Sequence, residues 1–319
     1  MGKFTAEELV EHVFDRTGVP NEDVLVGPAT GEDAAAIDVG DETLVVSADS
    51  ISLAADRIGQ LGVAIASNDV AASGGVPEWL VATLLLPRHD TDLLDRIAGQ
   101  IDETARALDQ TVVGGHTESV AGLERPLVSL TSMGVADRFV PTGGADPGDR
   151  VVLTKGAGIE ATGVLATDFR DEVNGVDDDV LDRAAGFFDE LSVIPESKLL
   201  SPLASGMHDP TEGGVLAGLV EMALAADLTL DVERAAVPVR PETEQVCRAV
   251  GVDPLRVLGS GGLLATLPEA KADTALAALD DAGIEAAEIG RVRTGDACLE
   301  LDGERLTSAP QDGMYALWE

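Results

Sequence analysis

Gly31-Glu32-Asp33-Ala34-Ala35-Ala36-Ile37, with Thr43-Leu44-Val45-Val46-Ser47-Ala48-Asp49-Ser50 close behind it, sets carboxylates on polar turns beside apolar, β-branched segments. Residues 43–48 predict a strand buried on at least one face, with Asp49 at its C-terminal end. A carboxylate in such a place can hold a hard cation such as Mg2+, which takes oxygen ligands and commonly bridges protein to substrate phosphates. The stretch therefore fits an acidic nucleotide site, and equally a turn whose Glu32 and Asp33 simply face water.

The chain around it has 319 residues, 45% of them hydrophobic, above the length at which a single core usually splits. Its 58 acidic and 21 basic residues leave a formal net charge of -37, and the lysines are Lys3, Lys155, Lys198 and Lys271. Nucleic acid and anionic membranes are polyanions that need basic partners, so both are excluded as expected partners. A mean hydropathy of +0.14 argues against disorder, so the charge covers a folded core. Self-repulsion of this size calls for screening, and the Debye length falls to about 3 Å at 1 M salt, which points to a salt-adapted cytosol. Dialysis to low salt is expected to lower the melting temperature, and a salt-independent melt would overturn this reading. Cys247 and Cys298 form no disulfide framework or zinc pattern, consistent with a reducing compartment. Residues 1–8 lack an apolar signal core and no run reaches about 20 apolar residues, so a cytoplasmic protein is expected.

Along the chain, Thr5 and Glu8 form a capping-box pattern before a helix that Gly18 and Pro20 stop. From Asp56, the stripe Ile58, Leu61, Ile65 continues to Asp69, which therefore faces inward on a helix. An inward carboxylate must be protonated, bonded to a cap or turn, or bound to a metal. Residues 79–86 read as a strand, 90–108 as an amphipathic helix, 111–113 as a strand running into a Gly114-Gly115-His116-Thr117 turn, and 127–135 as a strand. This is an α/β pattern. The turn-rich segment 141–149 predicts a boundary, giving domains 1–147 and 148–319. In the second half, strands are expected at 150–153, 263–267, 286–292 and 297–301, and helices near 159–168, 177–191, 241 onward and 268–282.

His208-Asp209-Pro210-Thr211-Glu212-Gly213-Gly214 precedes an apolar helical run. Asp209 suits its N-cap and Pro210 its first position, while the free N–H groups of a helix start also suit a phosphate. Lys155 to Ala161 contains G-x-G-x-x-A between a strand and a helix, but the acidic residue of a dinucleotide site is missing from a second strand end. No P-loop, paired-histidine zinc motif or serine-hydrolase elbow occurs.

In order, Gly31-Glu32-Asp33-Ala34-Ala35, Asp49-Ser50, Asn68-Asp69-Val70-Ala71, Gly114-Gly115-His116-Thr117 and His208 to Gly214 resemble the ATP-binding superfamily of aminoimidazole ribonucleotide (AIR) synthetase, selenophosphate synthetase, thiamine monophosphate kinase and HypE, closest to the HypE-like branch. The resemblance implies a two-domain AIR synthase-like fold and a homodimer in which N-terminal sheets join. It also implies ATP and Mg2+ held by acidic clefts. Asp33, Asp49 and Asp69 match the metal-binding aspartates; Gly31, Gly114, Gly115, His116, Thr117, Asp209, Thr211, Gly213 and Gly214 match nucleotide-binding positions. Asp209 and His116 are the implied catalytic candidates, with His116 standing where HypE and the thiamine kinase usually carry Asp. The implied chemistry is transfer of the γ-phosphate to an oxygen of a small or protein-borne acceptor. HypE's terminal cysteine, the selenophosphate enzyme's early Cys or Sec and the thiamine kinase's Asp-x-Ser-Asp-Gly are all missing, so the substrate is unassigned. The rivals are a thiamine monophosphate kinase-like small-molecule kinase and a non-catalytic nucleotide-binding assembly partner.

Overall fold

The alternation of apolar residues over Thr43–Ile51 and Leu127–Ala136 makes these segments antiparallel partners in one sheet, Val45 opposite Gly134 and Ser47 opposite Ser132. They belong to a computed structural model that describes residues 4, 6–52 and 56–318. The Thr5 capping box lies outside the described residues. In chain order the first half holds α1 (Ala6–Leu9, continuing as a π turn over Val10–Phe14), β1 (Val24–Val26), β2 (Ala35–Asp38), β3 (Thr43–Ile51), α2 (Ile58–Ala72), β4 (Val76–Leu86), α3 (Thr91–Ala107), β5 (Thr111–Ser119) and β6 (Leu127–Ala136). The sheet runs β1-β2-β3-β6-β4-β5, antiparallel except for β4 and β5, whose parallel pairing α3 makes possible as the crossover.

The second half holds β7 (Arg150–Thr154), α4 (Ile159–Thr167), α5 (Asp178–Ala185), α6 (Ile194–Leu200), β8 (Gly206–His208), α7 (Gly214–Ala226), β9 (Thr229–Val232), α8 (Pro241–Val250), β10 (Leu264–Leu267), α9 (Glu269–Asp281), β11 (Ala286–Arg293), β12 (Cys298–Leu301) and β13 (Glu304–Leu306). Its sheet runs β13-β12-β9-β11-β7-β10-β8. The helix expected at 177–191 ends at Ala185 and tightens into a 3-10 turn over Gly186–Glu190, while α6, β8 and β13 are too short to show a period in sequence. Among the described residues no helix is long and apolar enough to cross a membrane.

Helix α2 explains how the halves meet. The sequence predicts one apolar stripe on it, yet 14 of its 15 residues are buried. Ile58, Val63 and Ala66 pack on the first sheet, whereas Leu61 and Ile65 join a core with Ile159, Leu165 and Phe188 of the second half. A helix apolar all round belongs in the middle of a structure. Its amides clamp the far side: Gln60 Nε2 donates to Phe188 O at 2.9 Å, Asn68 Nδ2 donates to Leu191 O at 2.8 Å and Val193 N donates to Asn68 Oδ1 at 2.9 Å.

Candidate active site

Odd-numbered residues of β3 face α2, so Val45, Ser47 and Asp49 form one row. Asp69 projects from the last turns of α2 against that row, where the Ser47 hydroxyl donates to its Oδ2 and leaves it 8% exposed. The inward placement read from the Ile58–Ile65 stripe is what the structure has. Asp49 is half-buried on the same face, and its Oδ1 accepts from Ser50 N at 2.6 Å.

Asp33 lies just ahead of β2, in a turn whose Gly31 rests against the α7 backbone at Glu221. Across it stands His208, the last residue of edge strand β8. Its Nδ1 lies 2.8 Å from Asp33 Oδ1 and its Nε2 3.0 Å from Glu221 Oε2. Burial pushes the imidazole pKa down, but the Asp33 and Glu221 carboxylates outweigh it and hold His208 well above its ordinary value. His208 is thus an imidazolium bridging the two halves, a role its sequence setting in a polar turn did not reveal. His208→Gln is expected to leave two carboxylates without their cation and to cost about 3–5 kcal/mol, read as a lower midpoint in urea denaturation. Glu32 also borders this junction: burial, then Asp33, push its carboxyl up against the pull of the Thr142 N–H.

Asp209 follows directly and is 1% exposed, with neither carboxylate oxygen hydrogen-bonded. Burial foremost, then Asp69 and Asp33, raise its pKa well above the usual range, with His208 opposing and Asp49 adding to the rise. Four carboxylates from β3, α2, the turn before β2 and the β8 end therefore act on one another. Asp209 is not the helix cap that the sequence predicts. Helix α7 starts at Gly214, and Gly213 and Gly214 both have positive φ (+79° and +64°), a left-handed step that turns the chain away from Asp209. The cap acceptor is Asp312, whose Oδ2 takes the Gly213 N–H at 2.8 Å, while the Gly214 N–H donates to Thr211 O at 3.0 Å. Gly213 and Gly214 thus have their N–H groups engaged within the protein.

The second correction concerns Gly114-Gly115-His116-Thr117. These residues are not a turn but the middle of β5, an exposed edge strand. Gly115 is needed there because a Cβ would sit 2.0 Å from Ala82 O of β4. They line a separate cleft of ≈ 400 Å³ with Leu84 and Ile101. Three strand spacings separate β5 from β3, about 14 Å, so within one protomer His116 does not join Asp209.

Among the described residues no three Asp, Glu, His or Cys groups converge into a ready-made metal site. Mg2+ characteristically uses one or two carboxylates and completes its shell with phosphate oxygens and water. The buried, unpaired Asp209 carboxylate among three others suits such a shared cation. Sequence inspection missed Glu160 and Ser260, 5% and 0% exposed, whose Oε2 and Oγ also lack hydrogen-bond partners. The sequence signal for Glu160 was the G-x-G-x-x-A motif, which sets it in the first turn of α4, and that for Ser260 was the Gly259–Gly262 cluster.

The chain matches the family models for the N-terminal domain of AIR synthase related proteins over residues 31–136 and for the C-terminal domain over 146–298. It is similar to carbamoyl dehydratase HypE of Rhodobacter capsulatus, 30% identical over 278 residues that cover 86% of this chain and 79% of that protein. It is also similar to selenide, water dikinase of Geobacter metallireducens, 30% identical with 92% of each chain covered. The solved structure of the hydrogenase maturation protein HypE in complex with ATP superimposes with a TM-score of 0.71 at 25% identity, covering 97% of this chain and 95% of that one. The chain belongs to the AIR synthase related protein family, in its HypE-like branch.

Proposed function

We propose that this protein is a Mg-ATP-dependent enzyme that transfers the γ-phosphate to an oxygen of its acceptor, either as product or to activate an amide-type oxygen for dehydration. The observation that carries this is the Asp209 carboxylate, buried and without a hydrogen bond beside Asp33, Asp49 and Asp69. Its folding cost calls for a ligand that supplies positive charge. Asp33, Asp49 and Asp69 would hold Mg2+, which when bound neutralises phosphate charge and orients the nucleotide. Asp209 closes the site from the second half, and the His208 bridge between Asp33 and Glu221 fixes the distance between the two walls. The HypE relative solved with ATP supports the nucleotide. The division of labour follows domains 1–147 and 148–319, with cation ligands on the first and Asp209 on the second.

Titration calorimetry with Mg-ATP tests the site. Binding is expected for the unmodified chain and at least about tenfold weaker binding for Asp69→Asn, since each 1.4 kcal/mol lost from a charged contact is tenfold in affinity. An unchanged affinity removes Asp69 from the cation shell.

The acidic cleft belongs to a homodimer joined along β5. All nine residues of that edge strand are exposed, with Val112 at 43% and Val113 at 54%, and an apolar unpaired edge invites pairing with a second strand. This would bring the Gly114–Thr117 segment to the dimer seam. Light scattering is expected to give a dimer for the unmodified chain and a monomer for Val113→Lys, and a monomeric unmodified chain would sink the arrangement.

A further inference from the structure

Where the two halves meet, a small cleft of ≈ 50 Å³ is lined by Asp49 and Ser50 of β3 and by Glu160, Thr211, Glu212 and Ser260 of the second half. Two of these groups are built for a ligand they do not have. Glu160 and Ser260 are almost wholly buried, yet Glu160 Oε2 and Ser260 Oγ lack partners. Their positions are held by the backbone: Glu160 N donates to Ser260 O at 3.1 Å, and Gly259 N donates to Thr211 O at 3.0 Å. A buried oxygen left unpaired costs free energy that a bound donor recovers.

We propose that Glu160 and Ser260 form the closed end of an acceptor subsite that takes a small cationic N–H head group, an alkylammonium or guanidinium. The name acceptor rests on the phosphoryl-transfer reading above; the subsite itself does not. The sign of the ligand follows from the surroundings. Asp49, Glu160 and Glu212 all line the cleft, and Asp312 adds its charge to theirs. Among the described residues that line the cleft none is Lys or Arg. A phosphate monoester would meet carboxyl groups with no counter-charge, whereas a cation relieves their mutual repulsion. The volume admits a head group of a few non-hydrogen atoms, since one water needs about 10–15 Å³ of such space.

The probe is methylguanidinium chloride, titrated calorimetrically into the full chain at pH 7 in 1 M NaCl, with methyl phosphate as the anionic counterpart. Saturable methylguanidinium binding is expected. Glu160→Gln is expected to bind about tenfold more weakly, and Ser260→Ala several-fold more weakly. Each variant is accepted only with a cooperative melt, so the second stands if the first fails to fold. No saturable binding, equal binding of methyl phosphate, or folded variants that bind as well as the unmodified chain would each overturn the proposal. Loss of binding on exchanging NaCl for KCl would do so too, marking an alkali-ion site. Mg-ATP titration of the unmodified chain runs alongside: its failure sinks the nucleotide reading and leaves the subsite, and the converse result separates them the other way.

Discussion

Asp209→Asn is expected to make the ligand-free protein more stable while reducing ATP turnover by about two orders of magnitude or more. Both effects come from one observation, a carboxylate 1% exposed with no hydrogen bond to either oxygen and three further carboxylates acting on it. Replacing a buried carboxyl whose pKa burial raises well above the usual range should recover about 1–3 kcal/mol, because the amide keeps the shape without the cost of burying a titratable acid. Losing one preorganised charge in a phosphoryl-transfer site costs about 10²–10³ in rate. Calorimetric melting of the ligand-free protein and a coupled assay of ADP release measure the two. A variant that melts lower and turns over normally would show that Asp209 serves the fold alone.

Glu160→Gln is expected to abolish a large pH dependence of stability. In the unfolded chain this carboxyl titrates near 4.5, whereas in the fold burial, with Glu212, Asp312 and Asp49 adding to it, raises it to about 8. Below 4.5 both states hold the proton and Glu160 contributes nothing to the difference. Between 4.5 and about 8 the unfolded state has lost a proton that the folded state keeps, so stability falls as pH rises; above 8 the loss is complete. At 1.36 kcal/mol per pH unit the full loss is on the order of 5 kcal/mol. Denaturant melts of the two proteins at pH 5 and pH 9 should therefore differ little at the lower value and by several kcal/mol, in favour of the variant, at the higher. Asp209, Asp312 and Glu32 are raised in the same direction and remain in both proteins, so the difference between the curves isolates Glu160. Parallel curves would show that Glu160 is ionised in the fold.

The acidic charge, the strand at 43–51 and the inward Asp69 were legible because each is local. Charge is a sum, strand alternation has a period of two, and Asp69 continues the stripe of Ile58, Leu61 and Ile65. Asp209 also read as a helix cap, and that reading does not hold. Asp-Pro before an apolar run reads as a helix start, but the left-handed pair Gly213 and Gly214 displaces the start to residue 214 and gives the cap to Asp312, far along the chain. Gly114-Gly115-His116-Thr117 read as a turn because glycine pairs are strand breakers, whereas in β5 Gly115 answers a close approach by Ala82 O that no local pattern records.

By itself the sequence determined the α/β class, the order of the motifs and the identity of the acidic residues, since these depend on composition and on periods of two and 3.6 along the chain. Only the tertiary structure decided which carboxylates share a cleft. It did so by burying α2 between two sheets, so that Asp69 meets β3 on one side while Asn68 holds residues 191–193 on the other. It also set β8 at a sheet edge, where His208 reaches Asp33 from 175 residues away. The physical reason is that a buried carboxylate is costly or useful according to what lies across from it, and in this fold what lies across comes from the other half of the chain.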